Sequence, residues 1–89
     1  MVDFPFTERK LEETVYERTF KDDLFDSDLL WHWDEEDREV TVLHETDWLF
    51  QFDNMLPQPM TGEIKIPKGV WHRVIKGNGD LIIKVKKNI

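Results

Sequence analysis

The chain contains no cysteine. That absence excludes a disulfide framework, a thiolate zinc site and a thiol nucleophile, so any bound metal must be held by His, Asp or Glu. Long apolar runs are missing as well. Nothing approaches the roughly 20 residues of a membrane-spanning helix, and the opening MVDFPFTERK has neither the basic start nor the apolar middle of a signal peptide. A cytoplasmic protein without membrane attachment is the expectation. Positive charge is scarce, with 12 Lys and Arg against 19 Asp and Glu and a formal net charge of −7. Residues 1–39 hold 14 of the acidic groups and 5 of the basic ones. Such a surface repels phosphate backbones, and the cluster Lys84, Lys86, Lys87 is too small to reverse it, so no nucleic-acid partner is expected.

What is present is an aromatic, foldable chain. Hydrophobic residues make up 39% and include four Trp and six Phe, too many for a disordered polypeptide. Eighty-nine residues suffice for one domain with a limited core, which favours self-association as a homodimer.

The dominant hydrophobic period is two. In GEIKIP, Ile64 and Ile66 alternate with Glu63 and Lys65; in DLIIKVKK, Leu81, Ile83 and Val85 share one face; in DWLFQFD, Trp48, Phe50 and Phe52 do. Turn residues collect in HETD at 44–47, DNMLPQPMTG at 53–62, PKG at 67–69 and GNGD at 77–80. The last, between HRVIK and LIIKV, reads as the strongest local hairpin signal. FTERKLEETVYERTF admits a short helix capped by Thr7, while its second half predicts a strand over 13–20. KDDLFDSD reads as a polar loop leading into a strand from Leu29 to Asp34. The whole predicts an all-β barrel or sandwich of about six to eight short antiparallel strands, a single domain over 1–89. Residues 1–28 would form an N-terminal extension and 29–86 the barrel that carries the motifs.

In an extended chain, His32 and Asp34 of WHWDEEDRE point to one side, because residues two apart share a face. Downstream, PKGVWH supplies His72. Were the two segments neighbours, two imidazoles and one carboxylate would converge with coordination positions left open, an arrangement that suits Fe, Mn, Ni or Zn.

These residues carry a family resemblance. PKGVWH resembles the Pro-x-Gly-x-x-His core of the second cupin motif, and HWDEEDRE is similar to the first, with Asp34 in the place of its second histidine. The resemblance runs from about Leu29 to Lys86 and extends to small single-domain cupin-like proteins of marine phage and metagenomic origin, which share W-H-x-D and D-R pairs. It implies a small jelly-roll barrel, often dimeric, with His32, Asp34, Glu39 and His72 as metal ligands inside it. Two alignments of the first motif compete, one selecting Glu39 and the other Arg38, and adjacent strand residues face opposite sides. Arg38 inside would bind Asp34 or an anionic ligand. Arg38, Gln51 and Lys76 are the candidate polar residues of a ligand pocket. His-x-Asp with a distal His also resembles the ligand pattern of 2-oxoglutarate oxygenases, but those chains are usually much longer.

Each feature has a plainer reading. For His32 and Asp34 it is a hydrogen-bonded pair at a barrel mouth, and for His44 a solvated loop residue. The tryptophans are more often core or interface than a ligand platform; Trp31 and Trp33, opposite in parity to His32, would face outward and need a second subunit to cover them. DEEDRE is neither an EF-hand loop nor more than an acidic turn, and GNG lacks the helix of a phosphate loop. Three functions follow in order: a small-molecule, anion or metal-binding cupin module; a metal-dependent isomerase or oxygenase using His32, Asp34 and His72; and a structural homodimer without a ligand.

Overall fold

A computed structural model describes residues 4–89. Among the described residues eight strands are formed: β1 (Thr7–Glu12), β2 (Val15–Phe20), β3 (Asp37–Val42), β4 (Leu49–Phe52), β5 (Gln58–Pro59), β6 (Glu63–Ile66), β7 (His72–Ile75) and β8 (Leu81–Asn88). They build a five-stranded sheet in the order β1-β2-β8-β3-β6 and a three-stranded sheet in the order β5-β4-β7. Every pairing is antiparallel. Among the described residues helix is limited to one 3-10 turn, Asp26–Asp28, and no helix is long and apolar enough to cross a membrane.

The period-two segments become strands because one face of each is buried between the two sheets. Leu81, Ile83 and Val85 of β8, Ile64 and Ile66 of β6, Val40 of β3 and Phe50 of β4 all belong to one core cluster. Trp48 is fully buried and donates its indole N–H to the Gly79 carbonyl at 3.0 Å. That bond spends the one polar group that burial would otherwise strand.

Three local expectations are corrected. First, Thr7–Glu12 is a strand rather than a Thr7-capped helix. It pairs with β2 around a tight turn at Glu13 and Thr14, and all six of its residues are exposed, so no apolar face marks it in the sequence. Second, GNGD does not close a hairpin. β7 lies in the small sheet and β8 in the large one, so this turn carries the chain from one sheet to the other. Its shape is held from outside: the Asp47 carboxylate accepts both the backbone N–H of Asn78 (2.7 Å) and its side-chain amide (2.8 Å). Those bonds hold the Asp47 carboxyl below the usual carboxylate range. Third, Leu29–Asp34 is not a strand. It follows the 3-10 turn and makes a single bridge, His32 to His72.

Candidate metal centre

The bridge between His32 and His72 is made by two reciprocal backbone bonds, His32 N–H to the His72 carbonyl (3.0 Å) and His72 N–H to the His32 carbonyl (2.9 Å). Two residues further on, the Asp34 carbonyl accepts the N–H of Gly69 (2.9 Å), and the Asp37 carboxylate accepts that of Lys68 (2.8 Å). The PKG turn is therefore clasped by the segment it faces. Gly69 sits at φ 78°, in the left-handed region where a side chain would be strained. This clasp lets an irregular segment hold His32 and Asp34 beside the first residue of β7.

The side chains then converge. One ligand atom each from His32, Asp34 and His72 lies within 4.8 Å of the other two. His72 and Asp34 are buried, at 3% and 7% exposure, whereas His32 opens outward. Both rings are oriented alike: His72 Nδ1–H donates to the Val70 carbonyl at 2.8 Å, and His32 Nδ1–H donates to the Leu30 carbonyl at 3.1 Å. A carbonyl can only accept, so Nδ1 carries the proton in each ring and Nε2 keeps its lone pair. Carbonyl partners of this kind are also what orient metal-bound histidines.

His72 Nε2 faces Asp34 Oδ2 at 3.4 Å. The contact is not an ion pair at neutral pH, because burial pushes the His72 pKa below its ordinary value. The Val70 bond and Asp34 oppose that shift, while the neighbouring His32 and Arg38 add to it. A bare nitrogen lone pair thus confronts a carboxylate oxygen, and Asp34 Oδ2 is buried with no hydrogen-bond partner. Two acceptors facing each other in a dry environment repel; a cation between them would turn that repulsion into two bonds. The donor set fits a divalent metal.

The register of β3 decides between Arg38 and Glu39. Arg38 is inside, with Nη1 3.2 Å from Asp34 Oδ1, and its Nε and Nη2 donate to Glu36 Oε1 at 3.1 and 2.9 Å. Glu39 points to the outer side, where its carboxylate lies 3.9 Å from Lys86 Nζ, so the fourth expected ligand stands apart from the other three. Gln51 and Lys76, expected in a ligand pocket, are elsewhere too. Gln51 accepts two bonds from Arg73 (3.0 and 2.9 Å), and Lys76 Nζ lies 3.5 Å from Asp22. His44 is an exposed loop residue whose Nε2 accepts the N–H of Ile82 at 3.0 Å. Glu36 is the residue that sequence reasoning passed over. Its parity with Asp34 and Arg38 was the available signal, obscured by the acidic run around it.

His32, Asp34, Arg38 and His72 line a cavity of about 480 Å³. The rest of its wall is mainly apolar, including Phe20, Phe50, Met60, Ile66 and Ile83. Trp31, Trp33 and Trp71 lie on the outside and are exposed, with the Arg73 guanidinium 4.7 Å from the Trp31 ring.

No family model and no curated protein matches the sequence. Solved structures do match. A cupin domain from Bordetella pertussis Tohama I superposes with a TM-score of 0.62 at 18% identity, over 94% of this chain and 92% of that one. A cupin-2 domain containing protein from Shewanella frigidimarina NCIMB 400 gives 0.63 at 18% identity, over 92% and 80%. Fe(II) HppE gives 0.57 at 14% identity, over 84% of this chain and 43% of that one. The fold is that of the cupin domains, a small antiparallel jelly roll.

Proposed function

We propose that this chain is a cupin-fold binding module in which His32, Asp34 and His72 hold one divalent metal, and the adjoining cavity receives a small ligand. The observation that carries the reading is Asp34 Oδ2, buried, unpartnered and facing the bare Nε2 of His72. Two imidazoles and a carboxylate suit Fe(II), Mn(II), Ni(II) or Zn(II). Likeness to the Fe(II) HppE fold is consistent with that set. Bound there, a metal would supply Lewis acidity toward an oxygen of the ligand. The chain's own contribution is orientation: Arg38 holds Oδ1 of Asp34 and leaves Oδ2 directed at the histidines.

An enzymatic role would need an acid or base beside the ligands. Asp28, the other carboxylate lining the cavity, accepts the N–H of Phe25 at 2.9 Å, and Glu36 is engaged by Arg38. The binding module is therefore preferred to an isomerase or oxygenase. The Arg38–Asp34 contact favours a second reading, a ligand-free structural domain in which the two charges neutralise each other, paired as a homodimer through the exposed tryptophans. Elemental analysis of untagged protein purified without chelator, followed by calorimetric titration of wild type and His72→Ala with the four metals, separates them. One equivalent of metal, lost in the variant, supports the metal centre. No metal in either protein supports the structural domain.

A further inference from the structure

The polar end of the cavity is built of hydrogen-bond acceptors. Nδ1–H of His32 and of His72 is spent on a backbone carbonyl, which leaves each Nε2 with a bare lone pair. Asp34 sets one oxygen against Arg38, while the other, Oδ2, is buried without a hydrogen-bond partner. One ligand atom from each of the three residues lies within 4.8 Å of the other two.

The charges around the cavity have a sign. Arg18 and Arg38 line it, and each is paired with a carboxylate, Glu8 and Glu36 respectively. Asp28 and Asp34 line it as well, Asp28 accepting the Phe25 N–H as a carboxylate. Four carboxylates against two guanidiniums leave a net of −2, which repels an anion and favours a cation. The rest of the wall is mainly hydrocarbon and aromatic and suits an apolar body.

An ammonium group answers both features, with three N–H donors and one positive charge. Acceptors bonded to one tetrahedral nitrogen at about 2.9 Å stand about 4.7 Å apart. That spacing falls within the 4.8 Å that encloses these three. The closest pair, His72 Nε2 and Asp34 Oδ2 at 3.4 Å, opens to admit the nitrogen, which relieves two facing acceptors. Going beyond the metal reading, we infer that the metal-free cavity takes an apolar primary amine as its ammonium ion. Its three N–H groups donate to His32 Nε2, His72 Nε2 and Asp34 Oδ2, and its hydrocarbon part lies against Phe20, Phe50 and Ile83. A metal ion and the amine use the same lone pairs, so each excludes the other. An alcohol brings one donor and no charge, and a quaternary ammonium brings the charge and no donor.

The test titrates hexylamine, hexanol, trimethylhexylammonium and hexanoate calorimetrically into chelator-treated protein at about pH 8, where an alkylamine is protonated and an ordinary histidine neutral. Hexylamine should bind at one equivalent, about tenfold or more tighter than hexanol or trimethylhexylammonium, with hexanoate the weakest. It should move the ring Nε2 resonances of His32 and His72 and leave those of His44 in place. Asp34→Asn, shown to be folded by circular dichroism, should weaken hexylamine about tenfold or more. Zn(II) should displace the amine competitively. Hexanol or trimethylhexylammonium binding as tightly as hexylamine, His32 and His72 rings that do not respond, unchanged affinity in folded Asp34→Asn, or zinc and hexylamine bound together overturns the amine site. The metal-free titrations decide the amine by themselves, and failure to take up zinc overturns the metal centre alone.

Discussion

The five-stranded sheet and the segment from Leu29 to Glu36 place their side chains by different means. In β8 alternation does the work: Leu81, Ile83 and Val85 enter the core because every second residue must, and the register with β3 then sends Arg38 inward and Glu39 outward. The segment that carries His32 and Asp34 has no ladder. It is held by one bridge to His72, the Asp34 carbonyl bond to Gly69, and the side-chain bond from Asp37 to the PKG turn. Stability and chemistry are therefore carried largely by separate sets of residues. Core volume holds the sheets together, while the site can lose a side chain and keep its backbone.

That separation can be broken at several points. The largest effect is expected at Trp48→Ala, which empties the centre of the core and strands the Gly79 carbonyl; it should cost about 3–5 kcal/mol in chemical denaturation, a large share of a small domain's stability. Gly77→Ala comes next. A Cβ there would run into Asp47 Oδ1 and meet the Trp48 backbone nitrogen at 2.7 Å, so the sheet-crossing turn must shift, at a cost of about 1–3 kcal/mol.

On the site's side, Asp34→Ala should abolish metal binding while changing metal-free stability by only about 1 kcal/mol. Arg38 keeps Glu36, and the unpartnered oxygen disappears with the side chain. A titration beside a denaturation curve reads both halves of that statement.

Mild acid reaches the site through the buried His72 ring. His72 resists protonation when folded, so the unfolded chain binds the extra proton more readily. Its contribution is therefore complete above 6.5, the ordinary histidine value, and is lost as the pH falls below it. The wild-type melting temperature should decline in that window, and His72→Gln should flatten the decline. Glu39→Gln is the smallest change expected. Metal affinity should be unaltered and stability should stay within about 0.5 kcal/mol, since the carboxylate sits on the outer surface near Lys86.

The sequence was most readable where a strand has one wet face and one dry one. Ile64 and Ile66, or Leu81 and Val85, announce their faces by alternation. β1 could not be read this way, because TERKLE is exposed on both sides and carries no apolar period. GNGD has the composition of a hairpin turn, but composition does not say which sheet receives the next strand; the Asp47–Asn78 and Trp48–Gly79 bonds, both made by residues far away in the chain, decide that. At the site, strand parity put only His32 and Asp34 on one face and the motif resemblance added His72, yet the segment is not a strand, and a backbone bridge brings the residues together instead. The choice between Arg38 and Glu39 turned on a register of one residue, which only pairing with β6 and β8 resolves.

The most direct test of the metal centre is a long-range proton–nitrogen correlation spectrum of the histidine rings, recorded at neutral pH before and during addition of Zn(II). His32 and His72 should both carry their proton on Nδ1 in the metal-free protein, and both Nε2 resonances should move together to saturation at one equivalent, with His44 unchanged as an internal control. Rings protonated on Nε2, or zinc that leaves His32 and His72 unmoved while shifting only His44, would contradict the account.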